Sequence, residues 1–165
     1  MDITARGSGL DAQLAQHRSA PGRELQATLL ELVNLALSGT QCHWSVVGPS
    51  FRSLHLQLDD FVDAWRELAD TVAERAVAIG FSPDAQVETL AAASDWDRFD
   101  VGPIEDQVVV RTLARRLTEV AENVRARVKR MADDDAVSQD VLIGVVRTLE
   151  EHLWMTRAQI HDSRN

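Results

Sequence analysis

The chain has 165 residues, a length that fits one domain with a sizeable core. Hydrophobic residues make up 45% and charged residues 26%, as in a water-soluble globular protein. The net charge is −9 and Lys129 is the only lysine among 17 basic residues, so the surface as a whole draws cations and repels nucleic acid. The single cysteine, Cys42, excludes an intrachain disulfide framework. No apolar run approaches the ~20 residues of a membrane span, and the N-terminus lacks the basic-then-apolar order of a secretion signal. The cytoplasm is the expected compartment.

Residues 1–21 are weakly patterned and are expected to form a tail. After Pro21-Gly22 a helical stripe begins with Leu25, Leu29, Leu32 and Ala36, and it should run to about Val47 before the stop at Gly48-Pro49. Ser50 is placed to cap a second helix from Phe51 to Ile79, ended by Gly80. Residues 81–102 are too long for a simple turn and predict a crossover carrying a short helix over Gln86 to Ala93. Pro103 suits the first turn of a third helix. Its seam is Val110, Leu113, Leu117, Val120, Val124, Val128 and Met131. Asp133-Asp134-Asp135 breaks that pattern. Ser138 is expected to cap a fourth helix with the stripe Leu142, Val146, Leu149 and Leu153, running to about His161. Two helix pairs joined by one long crossover make an all-α, ferritin-like four-helix bundle over residues 22–162, with a short tail at 163–165.

The second helix carries the chemistry. His55 and Asp59 are four residues apart, as are Asp70 and Glu74, so each pair shares a helix face. Asp59 to Asp70 is 11 residues, roughly three turns plus about 20°, which puts all four side chains on one stripe. His43 stands before the turn leading into this helix. Imidazole mixed with carboxylate suits Fe(II), Mn(II) or Zn(II). At ~1.5 Å per residue the two pairs lie about 16 Å apart, so one ion cannot bind both within a single chain. Either they are separate sites, or an antiparallel second copy sets one pair opposite the other, giving two identical sites per dimer. Acids on so acidic a chain are also often no more than a solvated face; Asp60, Asp63 and Glu67, off the stripe, are read that way, and Glu74-Arg75 could be a local charge pair.

The run His43-Trp44-Ser45-Val46-Val47-Gly48-Pro49-Ser50-Phe51, followed by Leu54-His55, Asp59, Asp70 and Ala73-Glu74-Arg75, resembles the Dps family of mini-ferritins at every spacing. Leu149-Glu150 with Trp154 resembles a second family element. Ser45 stands where the family usually has Asn, and Cys42 where it usually has Ala; Cys42 reads as a small buried hydrophobe. The resemblance implies a hollow homododecamer with ferroxidase sites at twofold interfaces. His43, His55 and Asp59 would come from one subunit, Asp70 and Glu74 from its partner. It implies iron as the metal, hydrogen peroxide as the preferred oxidant and storage of ferric mineral. Trp44, beside His43, is read either as an electron donor or as a packed interface aromatic.

The resemblance also implies a threefold iron-entry pore bordered by the acids around the last turn, Asp133, Asp134, Asp135 and Asp140, although Asp near a helix start is favourable for local reasons too. Family members often bind DNA through basic tails. Here Arg6 and Arg18 are offset by Asp2 and Asp11, and the C-terminus has no basic run. Arg125, Arg127, Lys129 and Arg130 form the densest basic cluster. DNA binding is expected to be weak or absent, and a nucleoid-associated protein that shields DNA by physical association is the alternative to the iron-oxidising shell.

Overall fold

Stripes of leucine and valine at steps of three and four must be covered, and four long helices cover one another's stripes in two antiparallel pairs. The computed structural model describes residues 20–160 apart from Asp95 and Asp100. The order is α1 (Ala20–Ser45), β1 (Val46–Val47), α2 (Phe51–Ala78), α3 (Val87–Ala93), β2 (Ile104–Glu105), α4 (Asp106–Arg130) and α5 (Ala136–Arg157). The main helix contacts are α1 on α2 and α4 on α5. The core between the pairs holds Leu25, Leu32, Leu58, Trp65, Leu117, Val124, Leu142 and Leu149, all essentially without solvent contact. The expected α4 seam is buried as read, with Val128 only partly covered.

β1 pairs in parallel with β2, Val46 against Ile104 and Val47 against Glu105. This bridge puts the end of α1 beside the start of α4. The chain therefore runs the length of α2 away from that point, and the crossover brings it back. The crossover is fastened along its path. The Gln26 side chain bonds both the N–H and the carbonyl of Asp84. Farther on, the Arg116 guanidinium lies 4.8 Å from the Trp96 ring centre and 4.3 Å from that of Phe99, and donates to the Asp97 carbonyl at 2.7 Å.

Several boundaries differ from expectation. α1 takes in Pro21, which the first turn of a helix tolerates because its N–H would be unpaired anyway. Pro103 does not open α4: residues 104–105 are committed to the β bridge first. Ser50 sits at the α2 cap position, but its side chain makes no capping bond. Ser138 does not cap α5. Asp135 does, accepting from the N–H groups of Val137 at 3.1 Å and Ser138 at 3.2 Å. The α2 stop is as read: Gly80 has φ 81°, and the Phe81 N–H returns to the Ala76 carbonyl at 2.9 Å. The expected tails lie outside the described residues, apart from residues 20 and 21, as does the stretch from His161 onward. Among the described residues no helix is long and apolar enough to cross a membrane.

Candidate metal centre

The α1–β1–α2 hairpin turns so tightly that the last turn of α1 faces the first turns of α2. His43 and His55 meet there, their rings stacked with centroids 3.7 Å apart and planes 21° apart. Phe51 leans on His55 at 5.1 Å. Each histidine bonds the other's backbone: His43 Nδ1 lies 3.0 Å from the His55 carbonyl oxygen, and His55 Nδ1 lies 2.9 Å from the His43 carbonyl oxygen. A carbonyl only accepts, so Nδ1 carries the proton in both rings. In the neutral ring that arrangement leaves the lone pair on Nε2, the form that a metal-ligating imidazole takes. Asp59 Oδ1 is 3.2 Å from His43 Nδ1. His43, His55 and Asp59 can bring one ligand atom each to within 4.8 Å of the others, with both histidines half-buried and Asp59 exposed.

The other two stripe residues are not part of this cluster. Asp70 and Glu74 are exposed, farther along α2, and form no hydrogen bond or ion pair with the described residues. Asp70 borders an apolar groove of about 340 Å³ between α1 and α2, lined by Leu29, Val33, Ala36, Leu37 and Ala73 among others. Leu37 is 58% exposed on that face. Asp60, Asp63 and Glu67 are exposed as expected. Trp44 projects outward, 73% exposed. Cys42 is buried, and burial pushes its thiol up to about 12, against a small opposing effect of Arg116, so it is a packing residue.

Arg75 is not a partner of Glu74. Its guanidinium reaches across to Asp135 at 2.8 and 3.0 Å and to the Ser138 hydroxyl at 2.8 Å. Partial burial alone would raise the Asp135 carboxyl. The hydrogen bonds from Ser138 and Arg75 outweigh it and hold the group down at about 2. Of the four acids around this turn, Asp135 is thus spent on capping α5 and tying it to α2, whereas Asp133, Asp134 and Asp140 are exposed. The basic cluster is largely neutralised. Arg125 pairs with Glu150, Arg127 with Glu24 and Glu31, and Arg130 with Glu24.

Two residues had no signal in the sequence. Asp106, the first residue of α4, is 5% exposed and accepts the Ser50 N–H at 2.7 Å. Its neighbours in sequence give no motif, and its role depends on a contact between positions 56 apart. His152, buried on α5, stacks on Phe61 at 3.9 Å with planes 11° apart and edges onto Trp65. Burial lowers its pKa despite the nearby Glu151, so it belongs to the aromatic core in its neutral form.

Residues 23–165 match the ferritin-like domain family. A DNA protection during starvation protein of Mycolicibacterium smegmatis is 33% identical over 84% of this chain and 76% of its own length. The chain belongs to the Dps branch of the ferritin-like family. Among solved structures, DpsA14 from Streptomyces coelicolor superposes with a TM-score of 0.81 at 35% identity, covering 88% of this chain and 89% of that one. A Dps from Microbacterium arborescens, determined in a high iron form, gives 0.82 at 27% identity over 87% and 93%. The four-helix bundle with a helix-bearing crossover is thus the Dps fold, and membership places the chain among proteins of iron storage and DNA protection.

Proposed function

We propose that this Dps chain is a cytoplasmic ferroxidase and iron store that works as a dodecameric shell. The observation that carries the reading is the His43–His55–Asp59 cluster, with both imidazoles held in the tautomer that frees Nε2. Three ligands from one chain leave a divalent ion open on one side. Asp70 and Glu74 are about 16 Å down the same helix stripe and unoccupied by any partner of their own. A second copy packed antiparallel over the apolar groove beside Asp70 brings its Asp70 and Glu74 to that open side. The site then has two imidazoles and three carboxylates, enough to hold two irons.

Fe(II) is the substrate. Two Fe(II) ions deliver two electrons to one hydrogen peroxide; the O–O bond breaks, two protons are taken up, and two waters leave with two Fe(III). Because the electrons arrive as a pair, no hydroxyl radical is released. Hard carboxylate oxygens favour the ferric product. Exposed Asp133, Asp134 and Asp140, repeated around a threefold axis, would concentrate cations at an entry pore.

Anaerobic loading with Fe(II) followed by hydrogen peroxide tests this, with ferric absorbance and a radical trap followed together. The control is a His43→Ala, Asp70→Ala, Glu74→Ala variant whose assembly is confirmed by light scattering. Fast oxidation with little trapped radical, lost in the variant, is the expected result. Equal oxidation by both proteins would remove the five residues from the reaction. The second reading, physical shielding of DNA, rests on the relatives' names as DNA protection proteins. The pairing of Arg125, Arg127 and Arg130 with acids argues for weak binding, which a gel shift at low and moderate salt measures.

A further inference from the structure

The two histidines are positioned by a turn of only five residues, 46–50, and that turn rests on a side chain from the other half of the bundle. Asp106 lies beneath it. Its Oδ2 accepts the Ser50 N–H at 2.7 Å. Gly48, at φ 121°, passes so close above that a Cβ there would come within 2.9 Å of the Asp106 carboxylate carbon and Oδ2. On the other flank Val46 and Val47 pair with Ile104 and Glu105, the residues leading directly into Asp106. Asp106 as a residue is buried. Its charge sits at the first residue of α4, where unpaired backbone N–H groups favour an anion.

From this geometry we infer that Asp106 is a positioning residue for the metal centre: by clamping the 46–50 turn it fixes the mutual register of His43 and His55. The register matters because each ring is oriented by the other residue's carbonyl. If the turn slackens, both Nδ1–carbonyl contacts lengthen together, and both rings lose at once the contact that orients them. Gly48 is the complementary half of the clamp, since any side chain there meets the carboxylate as well as a backbone conformation that favours glycine.

The inference rests on the metal-centre reading, and the experiment separates the two. Co(II) alone is titrated into the assembled protein and its visible absorption followed for wild type, His43→Ala, Asp106→Ala and Asp106→Asn, with melting temperature recorded for each. Asp106→Ala is expected to weaken Co(II) binding by about 10–100-fold, the range for residues that orient metal ligands. Asp106→Asn keeps an acceptor oxygen for the Ser50 N–H and should restore most of the affinity and the wild-type spectrum. A merely structural Asp106 would lower the melting temperature and leave Co(II) affinity unchanged in the folded protein, which would overturn the inference. Should Asp106→Ala not assemble, Gly48→Ala is titrated in its place, and unchanged affinity there overturns it equally. If wild type and His43→Ala bind Co(II) alike, it is the metal-centre reading that fails.

Discussion

The two halves of α2 each carry a candidate ligand pair at four-residue spacing, but their surroundings differ. At the N-terminal half, His55 and Asp59 are gathered with His43 into one cluster, braced by the reciprocal carbonyl bonds, by Phe51 and, through the turn, by Asp106. At the C-terminal half, Asp70 and Glu74 stand exposed, Asp70 at the edge of an apolar groove, and the firm contact there is Arg75 with Asp135. One half of the candidate set is organised by its own chain; the other has its backbone fixed and its carboxylates free. That division is what an intersubunit site requires, because ligands already paired at home have nothing to offer a neighbour.

The strongest test of the comparison is complementation. A His43→Ala, His55→Ala chain and an Asp70→Ala, Glu74→Ala chain should each lose nearly all iron oxidation. Co-assembled at random in equal amounts, they should recover about a quarter of the wild-type rate, because half of the dimers are mixed and each holds one intact site. No recovery would mean that no site combines one half from each chain. Next in size is Asp135→Ala, which removes a helix cap and leaves Arg75 without its carboxylate partner. It should cost about 2 kcal/mol in urea unfolding while His43, His55 and Asp59 keep their arrangement. The same pair gives a pH dependence. The Asp135 carboxyl is held at about 2 in the folded chain, below its ordinary value of 3.8. Its contribution is therefore full above about pH 4 and is lost as the pH falls toward 2, and acid unfolding of Asp135→Asn should show a shallower decline in that window.

A smaller effect, of about 1 kcal/mol, is expected for Gly39→Ala. A Cβ there would come within 2.7 Å of Trp65 and Val62, forcing α1 off α2 one turn before His43. Its Co(II) affinity should fall along with its stability, linking packing at the N-terminal half to the site. Arg125→Ala should be the smallest: it breaks a surface pair with Glu150 and should leave the melting curve unchanged within error.

The helices were legible because each is long, amphipathic and ended by glycine, proline or an acidic run, as at Gly48-Pro49, Gly80 and Asp133-Asp134-Asp135. The histidines and acids of the stripe were legible through their four-residue spacing. What spacing could not reveal were contacts between distant positions. Asp106 gains its meaning only from a turn 56 residues earlier, and Arg75 looked like the neighbour of Glu74 because Asp135 lies 60 residues away. Ser138 was read as a cap for a similar reason: two good capping residues stood three apart, and the ion pair with Arg75 fixes Asp135 in the role.

The parallel bridge between Val46–Val47 and Ile104–Glu105 has a kinetic consequence. The α1–α2 hairpin joins segments close in the chain and can form early, but the strand it leaves beside Gly48 is completed only when the crossover has closed a loop of more than fifty residues. Capacity for metal should therefore appear in refolding as a step after the helices themselves, so that a nascent or half-folded chain carries both histidines without yet holding them as a binding pair.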